Sequence, residues 1–363
     1  MPKSTNSLAF AGMMLYLPSL YAAAIATPAA TVQSYLAPCF EVGKGVNCEV
    51  SAVALTGESL VLANDKQMPK AGDPAIFTLK LDKQKIVGTP SYLESSMLRS
   101  ADKFEGLTTT LDGKYVIAIT AFNKEGTAQN PSADALNTLL YWPVGNPEKA
   151  AIIVPSTRGQ ITSSRGLRER IGKAVGSPYF QVEALSTAPG DRLLVGIRKF
   201  GVNSNSADYA FLLLSIPCSI SEQGVELGDE VETLWNLTPD QLAQRLGMEA
   251  GAYPELGISG IEFDRYNQDR FYAVTSFERD DKIGGFLWVL PLTEGKPGRP
   301  QPVRLNDGSA LAFINKPEGV EVLDGRSVLI VHDDDRMKIK EPESNVQRQD
   351  HEFVYSVVTF GNK

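Results

Sequence analysis

Histidine is nearly missing from this 363-residue chain, which has only His332 and His351, and cysteine occurs just three times. No Cys-x-x-Cys pair is present. Zinc centres of the Cys/His type are thereby excluded. The chain also lacks a Walker phosphate loop and a G-x-S-x-G elbow, so nucleotide hydrolysis by that loop and α/β-hydrolase chemistry have no support. Basic charge is in deficit, with 35 Lys and Arg against 43 Asp and Glu and a net charge of −8. A nucleic-acid binder that works by bulk charge is excluded. What remains is a chain with 43% apolar and 21% charged residues, enough to bury a core. Length alone allows one large β domain or two ordinary ones.

The first 26 residues read as an address label. Lys3 gives a positive start, Leu8 to Ala26 is mostly apolar and broken by Pro18, and small residues follow at Ala22, Ala24, Ala26, Ala29 and Ala30. A signal peptide over 1–26, then one domain over 32–363, predicts a periplasmic or secreted protein. A membrane anchor is the alternative, and Pro18 with the alanine-rich end favours cleavage. No later segment approaches a membrane span, so none is expected in the mature chain. Pro38 stands before Cys39 where a lipoprotein signal needs a small residue, which argues against lipidation. Cys39 and Cys48 flank Gly43 and Gly45 and could close a small disulfide loop in an oxidising compartment. Cys218 follows the apolar run Phe211 to Ile216 and reads as a buried thiol.

One pattern recurs five times. Its first halves are Glu49-Val50-Ser51, Phe104-Glu105-Gly106-Leu107, Val182-Glu183-Ala184-Leu185, Ile258-Ser259-Gly260-Ile261 and Pro317-Glu318-Gly319-Val320. Its second halves are apolar runs centred on Val61, Ile117, Val195, Ala273 and Ile330. Turn residues such as Thr56-Gly57, Asp112-Gly113, Pro189-Gly190-Asp191 and Asp324-Gly325 lie between the halves, so each copy predicts a β-hairpin. A third run follows every hairpin, over Ile76 to Leu81, Leu139 to Val144, Ala210 to Ile216, Phe286 to Leu292 and Phe353 to Phe360. A fourth follows the first four, over Ile86 to Leu93, Ala151 to Pro155, Val231 to Leu237 and Gln301 to Leu305. Four antiparallel strands repeated around a ring predict an all-β, single-domain propeller. Val32 to Phe40 could supply the strand that the last unit lacks and close the ring. Spacings between positions 49, 105, 183, 259 and 318 exceed the roughly 40–45 residues of a compact repeat, so the excess goes to loops. Only Thr238 to Gly247 carries a helix signature, with a capping box from Thr238 to Gln241, and one short helix cannot cover a parallel sheet.

Hairpin geometry places the polar residues. The first residue of an innermost strand lies beside the last residue of the next, so Glu49, Glu105, Glu183 and Glu318 are expected to ring one mouth of the channel. Asn64, Asp65, Asn123, Arg198, Lys199, His332, Asp333 and Asp334 should stand close behind them. Converging carboxylates repel, take up protons or hold a cation, and an oxygen-rich set suits Ca²⁺. The alternative is that each glutamate pairs with a cation such as Arg198, or accepts backbone N–H groups, and fixes blade packing. Two insertions are expected on the same side. Ser156 to Tyr179 carries Arg158, Arg165, Arg168, Arg170 and Lys173 and could meet an anionic ligand, or be a solvated loop. Ser219 to Gly257 is acidic, a lid or a solvated flank.

The repeated Glu-Gly/Ala-Leu step, a glycine turn and a Leu-Leu-Val strand resemble bacterial phytase-like and related secreted propeller proteins. Phe104 to Leu107, Val182 to Arg198 and Pro317 to Asp334 carry the resemblance. It implies six blades, where the residues themselves show five, an exported protein, and calcium-assisted phosphoester hydrolysis in active members. Ser259-Gly260 departs from the glutamate step. Three classes of function follow. A binding propeller would take a small polar or anionic ligand at the mouth, with Arg198, Lys199, Asn64, Asp65 and Asn123 as contacts. A hydrolase of phosphoesters or lactones would hold Ca²⁺ on Glu49, Glu105, Glu183 and Glu318, with Asp333 or His332 as base. A scaffold would use the opposite face or the rim.

Overall fold

The structure, a computed structural model, describes residues 1, 29–40, 46–67, 72–221, 223–279, 282–335, 337–340 and 347–361. The segment read as a signal peptide, Met1 apart, lies outside them. No described helix is long and apolar enough to cross a membrane.

Five antiparallel sheets form a ring, a five-bladed β-propeller. The first blade runs outward through Val50–Thr56, Ser59–Asn64, Ile76–Asp82 and Lys85–Tyr92. The second is Phe104–Thr109, Tyr115–Thr120, Leu139–Pro143 and Ala151–Ile152. Tyr179–Ala188, Arg192–Gly201, Ala207–Ser221 and Glu232–Leu237 make the third. In the fourth, Gly257–Phe263, Arg270–Arg279 and Lys282–Thr293 are followed by an outer edge split into Gln301–Pro302 and Ala312–Phe313. Pro317–Asp324, Ser327–His332 and Glu352–Phe360 build the fifth, and Ala30–Pro38 completes it from the other end of the chain. This strand runs antiparallel to the last one, from Ala30 opposite Phe360 to Pro38 opposite Glu352. The six-bladed form that the phytase-like resemblance implies is corrected to five.

Alternation along each strand explains the packing. In the second blade, Val116 and Ala118 face the first blade, while Ile117 and Ile119 face the third. Repeating this around the ring gives five apolar seams, one between each pair of neighbours. Side chains with a two-residue period thus fill both faces of every sheet.

The seam between fifth and first blades is also where the ring closes. Cys39 follows the latch strand, Cys48 precedes the first inner strand, and the two are bridged. Both backbones donate to the turn before the last strand, Cys39 N to His351 O at 2.7 Å and Cys48 N to Asp350 O at 2.7 Å. The Tyr92 hydroxyl donates to Cys39 O and accepts from Asn64 Nδ2, each at 3.0 Å. Cys218 is free and buried, and burial pushes its thiol up to about 12.

Near the axis the inner strands approach too closely for ordinary side chains. A Cβ on Gly260 would stand 2.6 Å from Glu318 O, and one on Gly106 2.8 Å from Leu185 Cβ. The backbone oxygen cannot retreat without moving the fifth blade. Gly260→Ala is therefore expected to cost about 1–3 kcal/mol in urea unfolding, and an unchanged midpoint would show that the inner strands slide freely.

Two α-helices among the described residues are longer than four residues. Pro239–Leu246 has the expected capping box and ends at Gly247. Arg165–Val175 lies in the arginine-rich insertion, where a loop was expected, and ends at Gly176 with φ of 72°. The acidic insertion is divided. Gly224–Leu227 pairs with Cys218 to Ser221 away from the mouth, whereas residues 247–256 return to it.

Candidate functional site: an ion-paired mouth beside an apolar cavity

Each inner hairpin carries a β-bulge at the same place. Val50 opposes Asn64 and Ala52 opposes Ala63, leaving Ser51 as the extra residue. By the same register the extra residues elsewhere are Glu105, Glu183, Ser259 and Glu318. A bulge re-aims one side chain, and Ser51, Glu105, Glu183 and Glu318 all line the central channel. Glu49 is thus corrected: Ser51 occupies the position of the glutamates, and Glu49 lies two residues earlier. Ser51 Oγ donates to Phe104 O at 2.5 Å and Ser259 Oγ to Pro317 O at 2.7 Å. Where the bulge carries serine, it ties one blade to the next.

Where it carries glutamate, a cation or amide reaches it. Lys103 Nζ is 2.7 Å from Glu105 Oε1 and 2.9 Å from Asp65 Oδ1. Lys316 Nζ is 3.2 Å from Glu318 Oε1, 3.1 Å from Asp335 Oδ2 and 3.6 Å from Glu278 Oε2. Gln181 Nε2 donates to Glu183, and Lys66 pairs with Glu49. Arg198, 5% exposed, joins two blades, with Nη1 3.3 Å from Glu318 Oε1 and 3.6 Å from Glu183 Oε2. Lys103, Gln181 and Lys316 each stand two residues before the bulge glutamate. This Lys/Gln-x-Glu spacing was readable in the sequence and is the signal that finds the cations.

Burial sets the protonation of the mouth. Desolvation pushes Glu105 well up, and Glu183 nearby adds to it against the opposing Lys103. Desolvation likewise raises Glu318 to about 7, although Lys316 and Arg198 pull it down. Burial lowers Lys316, but Glu318 and Asp333 outweigh it and hold the ammonium well above its usual range.

The remaining expected residues divide. Asp65 and Asp333 belong to the mouth. Burial pushes Asp333 well up, and its Oδ1 accepts Asp335 N at 2.9 Å. Lys199 lies 4.3 Å from the Tyr209 ring, half-buried beside Arg198, and is lowered first by desolvation and then by that charge. Asn64 holds Tyr92 at the latch, and Asp334 is fixed by Asn315 Nδ2 at 2.7 Å and Lys316 N at 3.0 Å. Asn123 Oδ1 is enclosed without a hydrogen-bond partner among the described residues. His332 points into the seam. Successive side chains leave a strand on opposite faces, so His332 and Asp333 are parted. Its Nε2 is 2.8 Å from Ser356 Oγ, Phe313 meets the ring edge-on, and burial lowers it to about 3. A neutral, enclosed imidazole is no base for the mouth.

The arginines of the insertion are engaged in packing rather than offered to a ligand. Arg168 donates to Phe122 O and lies 4.6 Å from the Phe180 ring. Arg158 pairs with Asp134 at 3.3 Å and Arg170 with Asp229 at 2.9 Å.

The donor set does not fit calcium. Ca²⁺ takes six to eight oxygens, yet Lys103, Arg198 and Lys316 already stand within 2.7–3.6 Å of the inner carboxylates. Between the inner strands the channel encloses only about 10 Å³, about the space of a single water. Among the described residues no group of three or more His, Cys, Asp or Glu has metal-binding placement.

Open space lies beside the mouth instead. A cavity of about 860 Å³ is lined by Tyr253, Phe277, Ile283, Phe313 and Ile339 among others, with Glu255, Arg279 and Lys282 in its wall. Tyr253 packs on Phe277 at 4.7 Å and edge-on to Phe286 at 5.2 Å. Glu278, between the wall residues Phe277 and Arg279, pairs with Lys316 of the mouth. Its walls come from four segments spread over residues 248–339, so no motif announces it.

At the opposite end of the channel, the inner strands of the fourth and fifth blades bring in Glu262 and Glu321, both fully buried. Arg265 Nη2 is 2.9 Å from Glu262 Oε1, and Thr108 Oγ1 donates to Glu262 Oε2 at 2.9 Å. Glu321 accepts Leu55 N at 2.6 Å and Val322 N at 2.8 Å. This pair was not expected from the sequence.

No family model matches the chain, and no curated protein does. Similar folds occur among solved structures. A gluconolactonase from Xanthomonas campestris is 10% identical over 92% of this chain and 95% of its own, with a TM-score of 0.38. An auxiliary nutrient binding protein from Bacteroides thetaiotaomicron is 9% identical over 91% and 77%, with a TM-score of 0.37. The PQQ-bound aldose sugar dehydrogenase from Streptomyces coelicolor is 13% identical over 92% and 100%, with a TM-score of 0.35. Likeness at this level carries no inference about activity.

Proposed function

We propose that the protein is a binding propeller that takes a small organic molecule on the mouth face, in the cavity beside the ion-paired ring. The carrying observation is the contrast in space: about 860 Å³ beside the mouth against about 10 Å³ in the channel. The former is in the range of small-molecule sites, which are apolar with a few polar groups. The ring of ion pairs then acts as the rigid wall of the site rather than as a reaction centre. Work outside the cytoplasm is part of this reading, supported by the signal-like residues 1–26 and by the Cys39–Cys48 bridge.

Thermal shift measurements with amino acids, short peptides, sugars and aryl carboxylates test it. One class should raise the melting temperature of the wild type but not of Ala252→Trp, which fills the cavity from its exposed wall. Shifts that survive Ala252→Trp and vanish in Lys103→Met would move the ligand into the mouth and overturn the assignment.

A further inference from the structure

Resting on the binding reading, we infer that the occupant of this cavity is an apolar di- or tripeptide with free termini. Three features of the wall carry this. Its body is aromatic and branched aliphatic, through Tyr253, Phe277, Ile283, Phe313 and Ile339. Two opposite charges, Glu255 and Lys282, stand in the same wall, and neither forms an ion pair or a hydrogen bond among the described residues. Lys282 is exposed and Glu255 half-buried, so a ligand's ammonium and carboxylate can be met at the rim without full desolvation. An apolar molecule would leave Lys282 without a counter-charge and Glu255 acting on Lys199 alone, and a simple anion would leave Glu255 unmet. A zwitterion with an apolar middle satisfies both.

The third feature is backbone. Lys282 opens the third strand of the fourth blade, and its inner side pairs with Arg279. Among the described residues the outer side is paired from Gly285 onward, opposite Phe313. Gly284 already lies under the Phe313 carbonyl, so the outer edge of residues 282–283 is what offers backbone groups to an extended segment, as in β-strand addition. Such an edge distinguishes a peptide from a single amino acid or a detergent-like zwitterion. Three extended residues reach ~10 Å, a length that a space of about 860 Å³ accommodates.

The test uses the tripeptide Ala-Leu-Phe in four forms: free, N-acetylated, C-amidated and blocked at both ends. Calorimetry on the full chain should find the free form tightest, with each block weakening binding about tenfold, the scale of one charge-assisted hydrogen bond. The acetyl effect should disappear in Glu255→Gln and the amide effect in Lys282→Met. Both positions lie at the rim, so folding is kept, as an unchanged melting temperature without peptide would confirm. Equal binding of all four forms overturns the inference. So does absence of peptide binding when another compound still gives a shift sensitive to Ala252→Trp, and in that case the binding function stands. If no compound of the panel binds, both readings fall.

Discussion

Arg198→Met is expected to lower the unfolding free energy by about 3–5 kcal/mol, the range found when one partner of a buried ion pair is removed. The guanidinium is enclosed and contacts Glu318 at 3.3 Å and Glu183 at 3.6 Å. Without it, two carboxylates from different blades face each other across the fourth, whose bulge carries the uncharged Ser259. Lys316 compensates Glu318 but has Asp335 and Glu278 to serve as well. Two checks separate lost charge from lost packing. Adding Glu318→Gln should recover part of the deficit, because the double variant has one fewer unpaired carboxylate. The pH dependence should change as well. Glu318 is already raised to about 7 by burial, and losing Arg198 removes a cation that pulls it down. A carboxyl raised in the folded state contributes stability below its unfolded value near 4.5, and that contribution is lost as pH rises through the folded one. The deficit of Arg198→Met should thus be smaller at pH 5 than at pH 8. A deficit independent of pH and indifferent to Glu318→Gln would mean that Arg198 acts by volume alone.

The sequence made the ring legible because its signals are local. Asp112-Gly113 or Pro189-Gly190-Asp191 specify a turn by themselves, and the runs around them alternate regardless of neighbours. The strand completing the fifth blade was visible as an apolar segment left without a place. The bulge was not visible, because one extra residue changes register without changing composition. Glu49 was consequently aligned with the glutamates although Ser51 holds that place. The cations were overlooked for the same reason: Lys103 and Lys316 appeared to precede the strands rather than to reach the bulge two residues later. The Arg165–Val175 helix escaped notice because Gly166 and Gly172 lower its helix propensity. No local rule could assemble the cavity, whose walls meet only after blades, loops and the 337–340 segment are placed.

Glu262 was overlooked although its neighbours mark it. A carboxylate between Ile261 and Phe263 in an inner strand contradicts the apolar setting, and Glu321 between Val320 and Val322 does the same. Burial raises Glu262 to about 8, with Glu321 adding to the shift and Arg265 opposing it. The folded protein therefore keeps a proton that the unfolded chain loses near pH 4.5. Stability from this group is complete below about pH 4.5 and declines as pH rises through 8, by up to ~1.4 kcal/mol for each unit of pH between these values. Glu262→Gln removes the titration, preserves the shape and leaves Arg265 to Glu321. Other raised groups such as Glu318 tilt the wild-type curve in the same direction, so the informative quantity is the difference between the two proteins. The variant should gain on the wild type steadily from pH 5 to pH 8 and hold that gain above it, by several kcal/mol, in urea titrations at fixed ionic strength. Parallel curves would show that Glu262 is ionised in the folded state and that Arg265 compensates it fully. The expected result instead makes Glu262 a proton-holding carboxyl at the far end of the channel, buried against Arg265 and Thr108.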